Sequence, residues 1–151
     1  MNRGKLGLIE VFDRVLGEKT AKLLLVERWK GGPGRIHFYQ ITPEAPRRLL
    51  SLVLGGVKTQ IDFGRRRRLP SKLSVTVAED APSNVLKLAQ FLASFLMIPL
   101  APSTTDEPAT PTLRIGSSPD HEARIQVHAP PSGREVGPRL IVTQAVWETA
   151  R

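Results

Sequence analysis

Residues 57–77 read VKTQIDFGRRRRLPSKLSVTV. Two alternating runs, Val57–Phe63 and Leu73–Val77, flank a loop with four consecutive arginines, Arg65, Arg66, Arg67 and Arg68. Strand, basic loop, strand is the pattern of a hairpin that holds dense positive charge out in solvent. Arginine offers phosphate a planar fork of donors and can stack on bases. A charge run in a tail reads as a solvated or targeting patch. The same run between two strands points to a polyanionic ligand.

The charge around this hairpin is localised. Residues 1–100 carry 17 Lys and Arg against 8 Asp and Glu, a net of +9. Residues 101–151 carry 5 against 6, a net of −1, which leaves the chain at +8. A basic field confined to one part of a chain attracts polyanions, and nucleic acid is the commonest of them. Hydrophobic residues make up 40% of the 151, enough for a real core.

Upstream, Ala21–Trp29 and Arg35–Ile41 read as two strands joined by a Gly-rich loop, Lys30–Gly34. Alternation places Arg35, His37 and Tyr39 on one face of the second strand and Ile36 and Phe38 on the other. Aromatic and basic groups together stack bases and pair phosphates. The competing reading makes the first face merely the solvated back of a core built by Ile36 and Phe38. Thr42–Leu54 reads as a helix, with Thr42 as N-cap, Pro43 at the first helical position and Gly55-Gly56 as the stop. Leu6–Val15 reads as a strand, because Gly4 and Gly7 argue against a helix start.

Downstream, Asp80–Ile98 reads as a helix that is apolar around most of its circumference, with Lys87, Gln90 and Ser94 on one narrow stripe. Such a helix is the spine of a domain or an oligomer interface. Leu100–Pro111 is rich in Pro, Ser and Thr and reads as a linker. Thr112–Gly116, Ala123–Ala129 and Arg139–Trp147 read as short strands. The expected fold class is α+β: an antiparallel sheet of hairpins packed by two helices, with a short β-rich C-terminal extension. The expected domains are 1–100, a linker at 101–111 and an extension at 112–151.

Catalytic and metal motifs are missing from the sequence. There is no cysteine, so thiolate metal sites and cysteine nucleophiles are excluded. His37, His121 and His128 have no partner at ligand spacing, and GGPG at 31–34 lacks the Lys-Ser/Thr of a phosphate-binding loop. The expectation is a protein without cofactor, metal or catalysis. No run is long enough for a membrane span and the start lacks a secretory pattern, so a cytoplasmic location is expected. Few Asn, Gln and Met beside 15 Arg suggest a thermophilic source.

The function expected from these residues is nucleic-acid binding, to single-stranded DNA or RNA. Its contacts are Arg28, Lys30, Arg35, Lys58, Arg65, Arg66, Arg67, Arg68 and Lys72 for phosphates, with Trp29, His37 and Tyr39 as a small aromatic platform. The alternative is a structural subunit of a larger ribonucleoprotein or protein assembly. It would use the Asp80–Ile98 helix or the C-terminal strands to meet a partner or a second copy.

Overall fold

The computed structural model describes residues 7–17, 21–64, 72–102, 110–130 and 133–148. Two helices, α1 (Leu8–Gly17) and α2 (Ser83–Leu96), accompany eight strands: β1 (Lys22–Trp29), β2 (Gly32–Ile41), β3 (Pro46–Lys58), β4 (Ser74–Val77), β5 (Leu100–Pro102), β6 (Thr112–Ser118), β7 (His121–Ala129) and β8 (Arg134–Trp147). The strands follow the order β1-β2-β3-β8-β7-β6-β4-β5. The fold is α+β, as expected, but the sheet is mixed: β4 runs parallel to both β5 and β6. The chain divides into two compact units, Met1–Val53 with Ala145–Arg151, and Leu54–Gln144.

The first unit corrects two expectations. Residues 8–17 form a helix and not a strand. Val11 and Val15, one turn apart, are buried with Ile41, and Phe12, Leu16, Leu23 and Tyr39 pack around them. That is helical spacing. Gly7 is not an obstacle, because it precedes the helix and donates its N–H to the Glu10 carboxylate at 2.8 Å.

Thr42–Leu54 is the second correction. Thr42 does cap, but it closes a turn: its hydroxyl donates to the Ala45 carbonyl at 2.9 Å. The chain then leaves Pro46 as β3. Residues before proline are disfavoured in helical geometry, which undercuts Ala45, the residue before Pro46, as a helical position. Leu50, Ser51 and Leu52 are all buried in succession. A short apolar run buried on both faces fits a central strand as well as a helix, and its neighbours in the sheet decide.

In the second unit β3 ends at Lys58 and a short 3-10 turn, Gln60–Phe63, follows. Thr59 and Asp62 cap each other there, with the Thr59 N–H donating to the Asp62 carboxylate at 2.7 Å. The hairpin expected over 57–77 is therefore absent, since β8, β7 and β6 lie between β3 and β4 in the sheet. α2 buries Val85, Leu88, Ala89, Leu92 and Phe95 and leaves Leu86, Lys87, Gln90 and Ser94 exposed. It is amphipathic, not buried on several sides. Its buried face meets the alternating apolar residues Ala123, Ile125, Val127 and Ala129 of β7 with Val75 and Ile115. The strands after residue 111 belong to this same sheet, β6 pairing with β4. Most of the expected linker lies outside the described residues.

Candidate nucleic-acid interface

Three of the expected contact residues come together at one turn. β1 and β2 are joined by Lys30 and Gly31, with φ of 49° and 86°. Positive φ at both positions is the I′ geometry, which matches the twist of a two-stranded ladder. The connection is thus two residues long, and Gly32–Gly34 already belong to β2. Trp29 closes the turn opposite Gly32 and is 67% exposed. Arg28 and Lys30 flank it, both exposed, and the Arg28 guanidinium donates to the Gly31 carbonyl at 3.2 Å.

The indole is held from behind by a glycine. A Cβ at Gly34 would lie 2.2 Å from the Trp29 Cβ and 3.3 Å from its backbone. A bulge between Glu27 and Arg28 accompanies this close approach. A rigid turn therefore presents one large aromatic surface between two cations. Bases stack on such a surface whatever their identity, while the cations meet the backbone.

His37 and Tyr39 do not join that platform. They lie on the face of the first unit that α1 covers. Tyr39 meets Phe12 edge-to-face, with ring centroids 5.1 Å apart. His37 is buried: its Nδ1 is 2.7 Å from Ser51 Oγ and its Nε2 is 3.1 Å from the Glu27 carboxylate. With Nε2–H donating to Glu27, Nδ1 accepts the Ser51 hydroxyl. A hydrolytic triad would bury the carboxylate and expose the hydroxyl. Here the hydroxyl is buried and the Glu27 side chain is 49% exposed. The relay satisfies the buried polar atoms of His37 and Ser51 and links three neighbouring strands. Arg35 is exposed and lies opposite Glu27 in the ladder.

The remaining expected contacts scatter. Lys58 and Lys72 are exposed in the second unit. Arg65, Arg66, Arg67 and Arg68 lie outside the described residues. Arg48, on β3, is tied down. Its guanidinium donates to the Glu148 carboxylate at 2.6 Å and 2.9 Å, which raises its pKa above the ordinary arginine value.

Sequence reasoning missed three arginines beyond residue 72. Arg114, Arg124 and Arg139 stand on the β6–β7–β8 face that faces away from α2. Their signal was the alternation in β7, where Glu122, Arg124, Gln126 and His128 interleave with buried apolar residues. The acidic net charge of the tail hid it. Arg139 forks onto Glu135, holding that carboxyl below the usual range, and its guanidinium lies 5.3 Å from the Phe63 ring centre. Among the described residues, no group of acidic and histidine side chains could hold a metal ion, and no helix is long and apolar enough to cross a membrane.

A mixed eight-stranded sheet with two helices places the chain in a known fold. It superposes on a probable ribosomal biogenesis protein from Aeropyrum pernix K1 with a TM-score of 0.71, covering 95% of this chain and 79% of that one at 20% identity. It superposes on Mil, an archaeal Imp4-like protein, with a TM-score of 0.65, covering 98% and 81% at 14% identity. At these identities the likeness is one of fold. In sequence, the chain is 33% identical over 101 residues to a probable Brix domain-containing ribosomal biogenesis protein of Methanopyrus kandleri strain AV19. That match takes in 66% of this chain and 53% of the relative, so the chain spans about half the length of the curated relative it matches. No family model matches.

Proposed function

We propose that this chain is an RNA-binding protein of ribosome assembly, acting without catalysis. The observation that carries the reading is the β1–β2 turn, where Trp29 stands exposed between Arg28 and Lys30. The ribosomal-biogenesis relatives favour RNA over DNA as the ligand. Arg35, Lys58, Lys72 and the run Arg65–Arg68 supply further phosphate contacts. If about six cations engage a single strand, the log–log salt slope is about −4.

The test is fluorescence anisotropy of the full chain with labelled RNA and DNA, single-stranded and duplex, at two salt concentrations. Salt-sensitive binding that prefers RNA is expected. Trp29→Ala removes about 1–3 kcal/mol of stacking. Absence of RNA binding at low salt would overturn the proposal.

A second reading, protein contact within an assembly, has its own observation. Leu96 at the end of α2 and Met97 and Leu100 just beyond it are all exposed, Met97 at 83%. Light scattering of the isolated chain separates the two. A monodisperse monomer that binds RNA favours the first reading, and a self-associating chain that binds none favours the second.

A further inference from the structure

The face of β6–β7–β8 opposite α2 holds two guanidinium groups that the turn on β1–β2 does not account for. Arg114 pairs in register with Gln126, and the next rung pairs Gly116 with Arg124. The arginines are therefore diagonal neighbours on one face, about 7–8 Å apart at the backbone. Across β7, Gln126 and Arg124 face Arg139 and Ile141 of β8. One acid of this face is already engaged: Glu135 accepts hydrogen bonds from Arg139 and from Gln126, while Glu122 stands two residues before Arg124 on the same side of β7. Among the described residues neither Arg114 nor Arg124 forms an ion pair.

Two further observations point to an absent anion. The Arg124 Nε–H is buried with no acceptor in the described structure. An unmet buried donor on a cation is expensive, and a bound anion is one group that can supply its acceptor. Beside it, Gly116 leaves room, because a Cβ there would meet nothing within 4 Å. A half-exposed sheet face thus carries two like charges beside an open notch.

We infer that Arg114 and Arg124 form a second RNA-contact site, which clamps consecutive phosphates of an RNA backbone over Gly116. Charge complementarity selects the occupant: a polyphosphate strand supplies two anions at the spacing of two diagonal arginines, and a guanidinium offers each a planar fork. Gln126 adds a neutral donor and acceptor for a ribose or base edge. The inference rests on the RNA-binding reading above.

The experiment uses the full chain and a fluorescein-labelled single-stranded RNA 20-mer, titrated at several salt concentrations. Arg114→Gln with Arg124→Gln is expected to weaken binding about tenfold or more. It should also flatten the log–log salt slope by about 1.4, two phosphates' worth on a single strand. Arg28→Ala with Lys30→Ala is run in parallel. If the wild-type chain binds no RNA, both the functional reading and this site fall. If it binds, and the Arg114/Arg124 variant keeps the wild-type affinity and slope, this site alone falls. If the double variant does not fold, Arg114→Gln alone is used, since that side chain is exposed. A flattening of about 0.7 is then expected, and an unchanged slope overturns the site. Loss of binding to a labelled polyglutamate peptide with unchanged RNA binding would assign the pair to an acidic chain and overturn it as well.

Discussion

His37 Nδ1 lies 2.7 Å from Ser51 Oγ, with both residues buried and directly opposite each other on β2 and β3. Together with Glu27 on β1, the ring ties three strands through one side chain. Ser51→Ala leaves a buried ring nitrogen without its partner and should cost about 1–3 kcal/mol of stability. Chemical denaturation measures this. RNA affinity of the folded variant should stay at the wild-type value, because the hydroxyl is structural; a lost affinity at unchanged stability would contradict that role.

Gly34→Ala tests the seat of the aromatic. A methyl group placed 2.2 Å from the Trp29 Cβ cannot be absorbed by rotation of a flexible chain end, since backbone lies 3.3 Å away. The turn must open, at a cost of about 1–3 kcal/mol. The variant should lose both stability and RNA affinity, whereas Trp29→Ala should lose affinity and little stability. Denaturation midpoints measured beside anisotropy distinguish the two.

The Glu135–Arg139 pair sets a pH dependence in the second unit. Hydrogen bonding from Arg139 lowers the Glu135 pKa in the folded state, ahead of the opposing effect of burial. The unfolded chain then holds its proton more tightly than the folded chain does. The resulting stability is complete above the ordinary glutamate value and is lost as pH falls below it. Between about pH 5 and pH 3 the melting temperature of wild type should fall more steeply than that of Glu135→Gln. Parallel slopes would show that the pair contributes nothing in solution.

Met97 ends α2 with φ of 56°. The Ile98 N–H donates to the Ala93 carbonyl at 3.0 Å and the Met97 N–H to Ser94 at 3.3 Å, the paired bonds of a Schellman ending. That conformation suits glycine and strains methionine. Because Met97 is 83% exposed, its side chain contributes little packing. Met97→Gly should raise stability by about 1 kcal/mol, read from thermal or chemical unfolding. A destabilised variant would show that the thioether makes a contact worth more than the strain.

Much of this protein was written locally. The β1–β2 ladder, α2 and the three C-terminal strands follow from alternation, helical periodicity and Gly or Pro punctuation, all short-range properties. The localised charge and the adjacency of Arg28, Trp29 and Lys30 needed no tertiary information either, but the exposure of the indole did. Tertiary structure decided the rest. A run such as Leu49–Leu54 is apolar on every side, so its own pattern does not distinguish helix from strand; only placement beside β2 and β8 makes it a strand. Strand order is equally non-local. Val57–Phe63 and Leu73–Val77 resemble a hairpin because they are close in sequence, yet the parallel pairing of β4 with β6 separates them. The same holds for the site. Sequence alternation put His37 and Tyr39 on one face, but whether that face met solvent depended on where α1 packed. Arg114 and Arg124, ten residues apart in an acidic tail, become neighbours only when β6 and β7 pair, because backbone hydrogen bonding sets the register that brings two distant charges together.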